Sequence, residues 1–193
     1  MRARFAFHLL AAALVLAAAA AILAAMGQPW WCRAGDLSLG SWDVWSRHNS
    51  QHLLDPYTFT HVLHGVALYC VGWVLLGRYD ASPATRAWLA FGFETAWEIL
   101  ENTDAMIQRY RTVTISLDYY GDSVVNSIGD VLACMAGYLG ASVLPVWVSA
   151  VGFFVIDGLL LLWIRDSLAL NVLMLVHPID AVWTWQIESG SHR

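Results

Sequence analysis

Apolar stretches of about twenty residues recur along this chain, and they restrict its fold more than any other feature. Residues 5–26 contain no charged side chain, and a helix of roughly 20 apolar residues spans the ~30 Å hydrocarbon core of a bilayer. Backbone groups in lipid must be satisfied within the segment, which favours helices. The sequence therefore predicts an all-α integral membrane protein, with residues 1–193 forming a single membrane domain.

Six segments are candidate spans, and together they predict a bundle of five or six transmembrane helices. They cover residues 5–26, 57–76, 88–107, 123–144, 146–164 and 168–187. The third is polar because it holds three glutamates. His177 and Pro178 interrupt the last segment, which leaves three alternatives: a span, an interfacial helix or a broken helix.

The arginines near the N-terminus predict the orientation. Arg2 and Arg4 precede the first span and place the N-terminus inside by the positive-inside rule. Segments 27–56 and 102–122 are then outer loops, although Arg109 and Arg111 in the second loop run against this orientation. A cleaved signal peptide is the alternative for the first span. Its apolar run exceeds the ~7–15 residues of a typical signal peptide, which favours a retained anchor.

Composition excludes nucleic-acid binding as the main function and indicates membrane lipid as the surroundings. Only 13% of the residues are charged, against about 25% in soluble domains. The ten basic residues are all arginine and are outnumbered by fifteen acidic residues, so no basic surface is available to neutralise phosphates. We expect a multi-pass integral membrane protein. Its oligomeric state does not follow from the sequence.

Polar side chains line one face in each of three consecutive spans. They are His61 and His64 in the second span, Glu94, Glu98 and Glu101 in the third, and Asp122, Asn126 and Asp130 at the start of the fourth. The spacings of three, four, seven and eight residues each keep to one face of a helix. Because consecutive spans alternate in direction, all three groups are predicted near the same membrane face.

Ionisable groups within a membrane are costly and usually functional, so we interpret these residues as one site. The predicted roles are acid/base catalysis by Glu98 with His64 as its partner, substrate binding by Glu94, Glu101, Asp122 and Asn126, and metal ligation by His61, His64 and Asp130. A divalent metal suits two histidines with carboxylates, although no complete motif such as HExxH is present. A polar network that only joins helices is the structural alternative.

The leading functional hypothesis is an envelope-related protein acting on a lipid or other amphiphile at the outer leaflet. A small proton-coupled transporter or channel subunit is the first alternative, and a non-enzymatic membrane scaffold is the second. A transporter needs a polar path to the other face, for which Asp157 and Asp180 are the candidates.

The remaining cysteines and histidines receive structural interpretations. Cys32, Cys70 and Cys134 share no metal-ligand spacing, and Cys32 is expected to be unpaired on the outer side. His48 and His52 in the first outer loop are expected to be solvated rather than to act as ligands.

Four segments carry a family resemblance that covers nearly the whole chain. They are Ser50-Gln-His-Leu-Leu-Asp-Pro-Tyr57, His61-Val-Leu-His-Gly65, Glu94-Thr-Ala-Trp-Glu-Ile-Leu-Glu-Asn102 and Asp118-Tyr-Tyr-Gly-Asp-Ser-Val-Val-Asn-Ser-Ile-Gly-Asp130. These segments resemble an uncharacterised family of bacterial multi-pass inner-membrane proteins of unknown function. Residues 122–130 also resemble the Asp…Asn…Gly stretch of VanZ-like membrane proteins, which implies a link to the cell envelope. Neither resemblance supplies catalytic residues.

Overall fold

Eight α-helices dominate the computed structural model, which describes residues 2–188. They are α1 Arg2–Ala25, α2 Thr58–Leu76, α3 Pro83–Glu101, α4 Asp104–Val113, α5 Val124–Val143, α6 Val146–Ile164, α7 Leu168–Val176 and α8 Asp180–Ile187. Over these described residues there is no β-strand, only an isolated bridge between Gly40 and Leu54. The predicted all-α class is confirmed.

Four helices, α1, α2, α5 and α6, are long and apolar enough to cross a membrane. Most residues of α1 and α6 are not buried, whereas more than half of the apolar stretch of α5 is buried. Large apolar side chains such as Phe5, Trp147, Phe154 and Leu162 are exposed on the outer helices. This pattern suits a bundle surrounded by lipid, with α5 at its centre.

The backbones of α2 and α5 touch because glycines occupy their crossing. A Cβ at Gly65 would overlap the carbonyl oxygen of Cys134, and a Cβ at Gly137 would overlap the carbonyl oxygen of Val62. Small residues allow this close approach between helices in lipid. The contact places the first half of α2 against the middle of α5.

The third predicted span has different bounds in the structure. We expected residues 88–107, but α3 starts at Pro83 and ends at Glu101. Thr103 then caps a new helix, since its Oγ1 accepts a hydrogen bond from the backbone N–H of Met106. The segment 102–122 that we expected as a loop therefore contains α4.

The last predicted segment is a broken helix. Residues 177–179, which include Pro178, separate α7 from α8. Nine residues of α7 extend only ~14 Å, too short to cross a bilayer. Arg109 of α4 donates from Nε and Nη2 to the carbonyl oxygen of Leu175, at 3.1 and 2.7 Å, and so fastens α7 to α4.

The segment between α1 and α2 packs onto the start of α5. His52 is fully buried, so the expectation of a solvated side chain is wrong for this residue. The amide of Asn126 donates to the His52 carbonyl oxygen at 2.8 Å, and the His52 Nδ1 lies 2.7 Å from the carbonyl oxygen of Ser38. These contacts draw the loop inward.

Candidate functional site

The first turns of α2 and α5 and the last turns of α3 bring five of the predicted site residues together. They are His61, His64, Glu94, Glu98 and Asp130, called the His–Glu cluster below. All three helices present these side chains at the same end of the bundle because α3 runs antiparallel to α2 and α5. Asp122, at the same end, precedes Ser123, the N-cap of α5, and its carboxylate accepts a hydrogen bond from Asn102, the C-cap of α3.

Glu94 joins the two histidines of α2. Its Oε1 lies 2.7 Å from Nδ1 of His61 and 3.0 Å from Nδ1 of His64. Glu94 is fully buried, and His61 is buried as well. A carboxylate shared by two imidazoles fixes the orientation of both rings. Because Nδ1 of each ring faces Glu94, Nε2 of each ring is directed away from this carboxylate.

Glu98 lies one turn further along α3. Its Oε1 is 3.3 Å from Nδ1 of His61, but neither of its carboxylate oxygens has a hydrogen-bond partner although the side chain is buried. On the other side of the His61 ring, Oδ2 of Asp130 is 3.8 Å from Nε2. His61 thus lies between carboxylates from two different helices.

Two overlapping sets of the predicted site residues have the spacing of metal ligands. His61, His64 and Glu94 each place a ligand atom within 4.8 Å of the others, and so do His61, Glu98 and Glu101. Imidazole and carboxylate donors suit Zn²⁺. Asp130, the third predicted ligand, lies on the opposite ring nitrogen of His61 and belongs to neither set.

A cavity of about 60 Å³ adjoins the cluster. Its walls differ in chemistry. The polar wall includes the predicted residues His61, His64, Glu101, Asp122 and Asp130, and the apolar wall includes Trp97, Leu168, Val172 and Leu175. Such a space has room for a few water molecules or a small polar group.

Three predicted site residues do not line this cavity. Glu94 and Glu98 lie behind the histidines and contact them. Asn126 is directed to the loop, where its Nδ2 donates to the His52 carbonyl and lies 3.4 Å from Oδ2 of Asp55. Asn126 thus anchors the loop, and its contact with substrate stays a prediction.

Asp122 is held in a small network outside the helices. Its carboxylate accepts hydrogen bonds from Nδ2 of Asn102 at 2.8 Å and from the hydroxyl of Tyr119 at 2.9 Å. Its backbone N–H donates to Oδ1 of Asn102 at 2.7 Å. Burial raises the pKa of Asp122 to about 7, although both side-chain hydrogen bonds act in the opposite direction.

The sequence interpretation missed a further buried carboxylate near the cavity, Asp166. Asp166 follows α6 and accepts hydrogen bonds from the hydroxyl of Tyr57 and from Nδ2 of Asn171, both at 3.2 Å. Burial raises the pKa of Asp166 to about 6. Its neighbours Arg165 and Ser167 give it the appearance of an ordinary turn residue, so only the packing of α7 and Tyr57 reveals it.

Comparison with known proteins places this site in a family context. A family described as "Protein of unknown function (DUF2585)" matches residues 23–188. A UPF0314 protein of Paracoccus denitrificans is 46% identical over 173 residues, covering 90% of this chain and 89% of the relative. A UPF0314 protein of Rhizobium meliloti is 46% identical over 183 residues, covering 95% and 92%. No solved structure matches significantly.

The match extends over all three helices that carry the His–Glu cluster, and the relatives align over most of their own length. The predicted resemblance to an uncharacterised bacterial family is confirmed. On these grounds the chain belongs to the DUF2585 family of proteins of unknown function.

Proposed function

We propose that this chain is a multi-pass protein of the bacterial inner membrane, with five crossing helices and a broken sixth segment. Support comes from the four long apolar helices and from α3, whose 19 residues extend ~28 Å. The carboxylates of Glu94 and Glu98 are the main obstacle to inserting α3, and burial against α2 and α5 shelters both. In this arrangement α7 and α8 form the broken segment at the outer face.

Reporter fusions test this topology. A reporter active only outside the cytoplasm should be active when fused after Asp118 and inactive when fused after Asp80. The opposite result would invert the orientation.

We further propose that the protein is an enzyme acting on a lipid or other envelope amphiphile at the outer leaflet. The observation that carries this proposal is the pairing of cavity-lining histidines with buried carboxylates behind them: His61 and His64 on Glu94, and His61 beside Glu98. A histidine oriented by a carboxylate is a common general base. Glu98 would exchange a proton with the cavity through His61.

The two walls of the cavity support an amphiphilic substrate. Carboxylates of Glu101, Asp122 and Asp130 would hold a polar head group, while Leu168 and Val172 of α7 lie on the apolar side. Because α7 is too short to cross, its apolar residues end beside the cavity, where a lipid chain could lie along them. Membrane lipid is therefore the proposed partner.

The distribution of buried charge favours catalysis over transport. Among residues 2–188, the buried carboxylates and imidazoles all belong to the cavity end of the bundle or its adjoining loops. Asp157 is half-buried and accepts a hydrogen bond from the backbone N–H of Ala169 in α7, and Asp180 is exposed. Neither residue extends a polar path toward the opposite end.

Lipid profiles of a deletion strain test the enzymatic proposal. Loss of the gene should change at least one envelope lipid or amphiphile, and the wild-type gene should restore it. Glu98→Gln should fail to restore the profile because the amide cannot accept and release a proton. Asp118→Asn is the matched control at an exposed carboxylate and should restore it fully.

Membrane levels and gel-filtration profiles of each variant separate lost chemistry from lost folding. Full restoration by a folded Glu98→Gln variant would exclude proton exchange at that residue. A deletion profile identical to that of the parent would overturn the lipid substrate and favour the scaffold alternative.

A further inference from the structure

A second group of potential metal ligands lies in the segment between α1 and α2, away from the His–Glu cluster. Cys32, His48 and His52 each place a ligand atom within 4.8 Å of the other two. The Sγ of Cys32 is 3.3 Å from Nδ1 of His48, and that nitrogen is 3.5 Å from Nε2 of His52. Cys32 and His52 are buried.

The separations fit a tetrahedral site. With Zn–N bonds of ~2.0 Å and a Zn–S bond of ~2.3 Å, tetrahedral ligand atoms lie about 3.3–3.6 Å apart. The two measured separations fall in this range. A thiolate with two imidazoles is also a donor set that Zn²⁺ prefers over oxygen-seeking cations such as Mg²⁺.

The orientation of His52 gives independent support. Its Nδ1 is 2.7 Å from the carbonyl oxygen of Ser38, and a carbonyl only accepts, so Nδ1 carries the proton. The lone pair is then on Nε2, which faces His48. Metal-binding histidines are typically held in this way, with the second nitrogen donating to a carbonyl or carboxylate.

A fourth potential ligand atom, a carboxylate oxygen of Asp36, lies close by. Oδ2 of Asp36 is 3.9 Å from Nε2 of His52 and accepts a hydrogen bond from the hydroxyl of Ser38. The Asp36 side chain is 46% exposed, so either this carboxylate or a water molecule can complete the coordination.

A disulfide does not explain the buried thiol. All three cysteines are free, and the other two lie in α2 and α5, remote in sequence and within apolar helices. Cys32 therefore has a histidine as its neighbour rather than a second thiol.

We propose that Cys32, His48 and His52 form a structural Zn²⁺ site that closes the segment between α1 and α2. Cys32 follows α1 by seven residues, and the carbonyl of His52 is fixed to α5 through Asn126. The metal would thus tie the end of α1 to the start of α5 and stabilise the loop above the cavity. This proposal is independent of the proposed enzymatic function.

Metal analysis of the full chain, purified in detergent without a histidine tag, tests the site. The wild-type protein should retain bound zinc after dialysis, and Cys32→Ser and His52→Gln should each lose that zinc. Cys70→Ser is the matched cysteine control, and His64→Gln is the control for zinc held by the His–Glu cluster. Both controls should keep the Cys32-dependent zinc.

Two measurements need no variant at the site and remain informative if Cys32→Ser does not fold. Co²⁺ added to apo-protein should give near-ultraviolet thiolate-to-cobalt absorption and the intense visible bands of tetrahedral Co²⁺. In the Cys70→Ser background, zinc should slow the reaction of Cys32 with a thiol reagent by about tenfold or more, since the bound thiolate is no longer free.

Zinc retained equally by Cys32→Ser would overturn the proposal, as would Co²⁺ spectra without thiolate absorption. Absence of zinc from the wild-type protein, together with no effect of added zinc on thiol reactivity, would show instead that the three side chains are joined only by hydrogen bonds.

Discussion

Asn102 connects the end of α3 to the segment before α5, and its replacement by alanine should destabilise the protein strongly. Its Oδ1 accepts from the backbone N–H of Asp122, and its Nδ2 donates to the Asp122 carboxylate and to the carbonyl of Glu98. Asn102→Ala removes all of these contacts at a site that is 3% exposed.

The expected loss is about 2–6 kcal/mol. Leaving the buried N–H of Asp122 without an acceptor costs ~1–3 kcal/mol, and losing the bond to its carboxylate costs about 1 kcal/mol when Asp122 is protonated or ~1.5–3 when it is ionised. Since the pKa of Asp122 is raised to about 7, the loss should be larger at pH 8 than at pH 5. A typical total stability is only ~5–15 kcal/mol.

Unfolding in mixed micelles at increasing SDS fraction, followed through the eleven tryptophans, measures this difference. Asn171→Ala is the matched control because its amide makes one hydrogen bond, to Asp166, whose carboxylate keeps other partners. At pH 5, where Asp166 with its pKa of about 6 is mostly protonated, we expect a loss of about 1 kcal/mol there. If both variants lose equally little, or if the Asn102 effect does not change with pH, the network does not stabilise the fold as argued.

Three further predictions concern the helix crossing, the pH dependence and the α4–α7 contact. Gly137→Ala should destabilise the protein by ~1–3 kcal/mol or more in the same SDS titration, because the added methyl group overpacks against α2. Gly140→Ala in the same helix is the control and should be neutral or stabilising, because a Cβ there meets no atom within 4 Å. Protonation of Asp122 stabilises the folded state fully below 3.8, its ordinary pKa in the unfolded chain, and this stabilisation is lost as pH rises through about 7. The thermal midpoint should therefore fall between pH 5 and 8, and Asp122→Asn should reduce that fall. Arg109→Ala should loosen the contact between α7 and α4, and amide hydrogen exchange over residues 168–176 should become faster. Arg109→Lys should give exchange rates between those of the wild type and Arg109→Ala, because lysine cannot donate from two nitrogens to the Leu175 carbonyl.

Apolar length and turn residues are enough to predict the long helices. The predicted fifth span coincides with α6, since Pro145 marks its start and the apolar run ends at Ile164. Alternation of helix direction also explains why His61 and Glu94 lie near one end of the bundle. Whether these residues act chemically stays a prediction.

Other features depend on contacts that no local pattern contains. We predicted one helix over residues 88–107 and missed the break at Thr103, where a side-chain cap starts a new helix. His52 lies in a polar-looking loop, and its burial follows from a hydrogen bond to Asn126, 74 residues away. Asp166 is buried where Tyr57, Asn171 of α7 and Gln186 of α8 all contact its carboxylate.

The glycine crossing of α2 and α5 makes these two helices a fixed wall of the cavity. With no side chain between the backbones at Gly65 and Gly137, the two helices pack in direct backbone contact. Neither helix can therefore slide or rotate past the other without losing this packing. Entry of a bulky molecule therefore has to displace the opposite wall, formed by α7. The first turn of α7 is fastened through Ala169 and Asn171, and its last turn through Arg109 of α4. Opening of this wall has to break these hydrogen bonds, whereas the histidines stay in place.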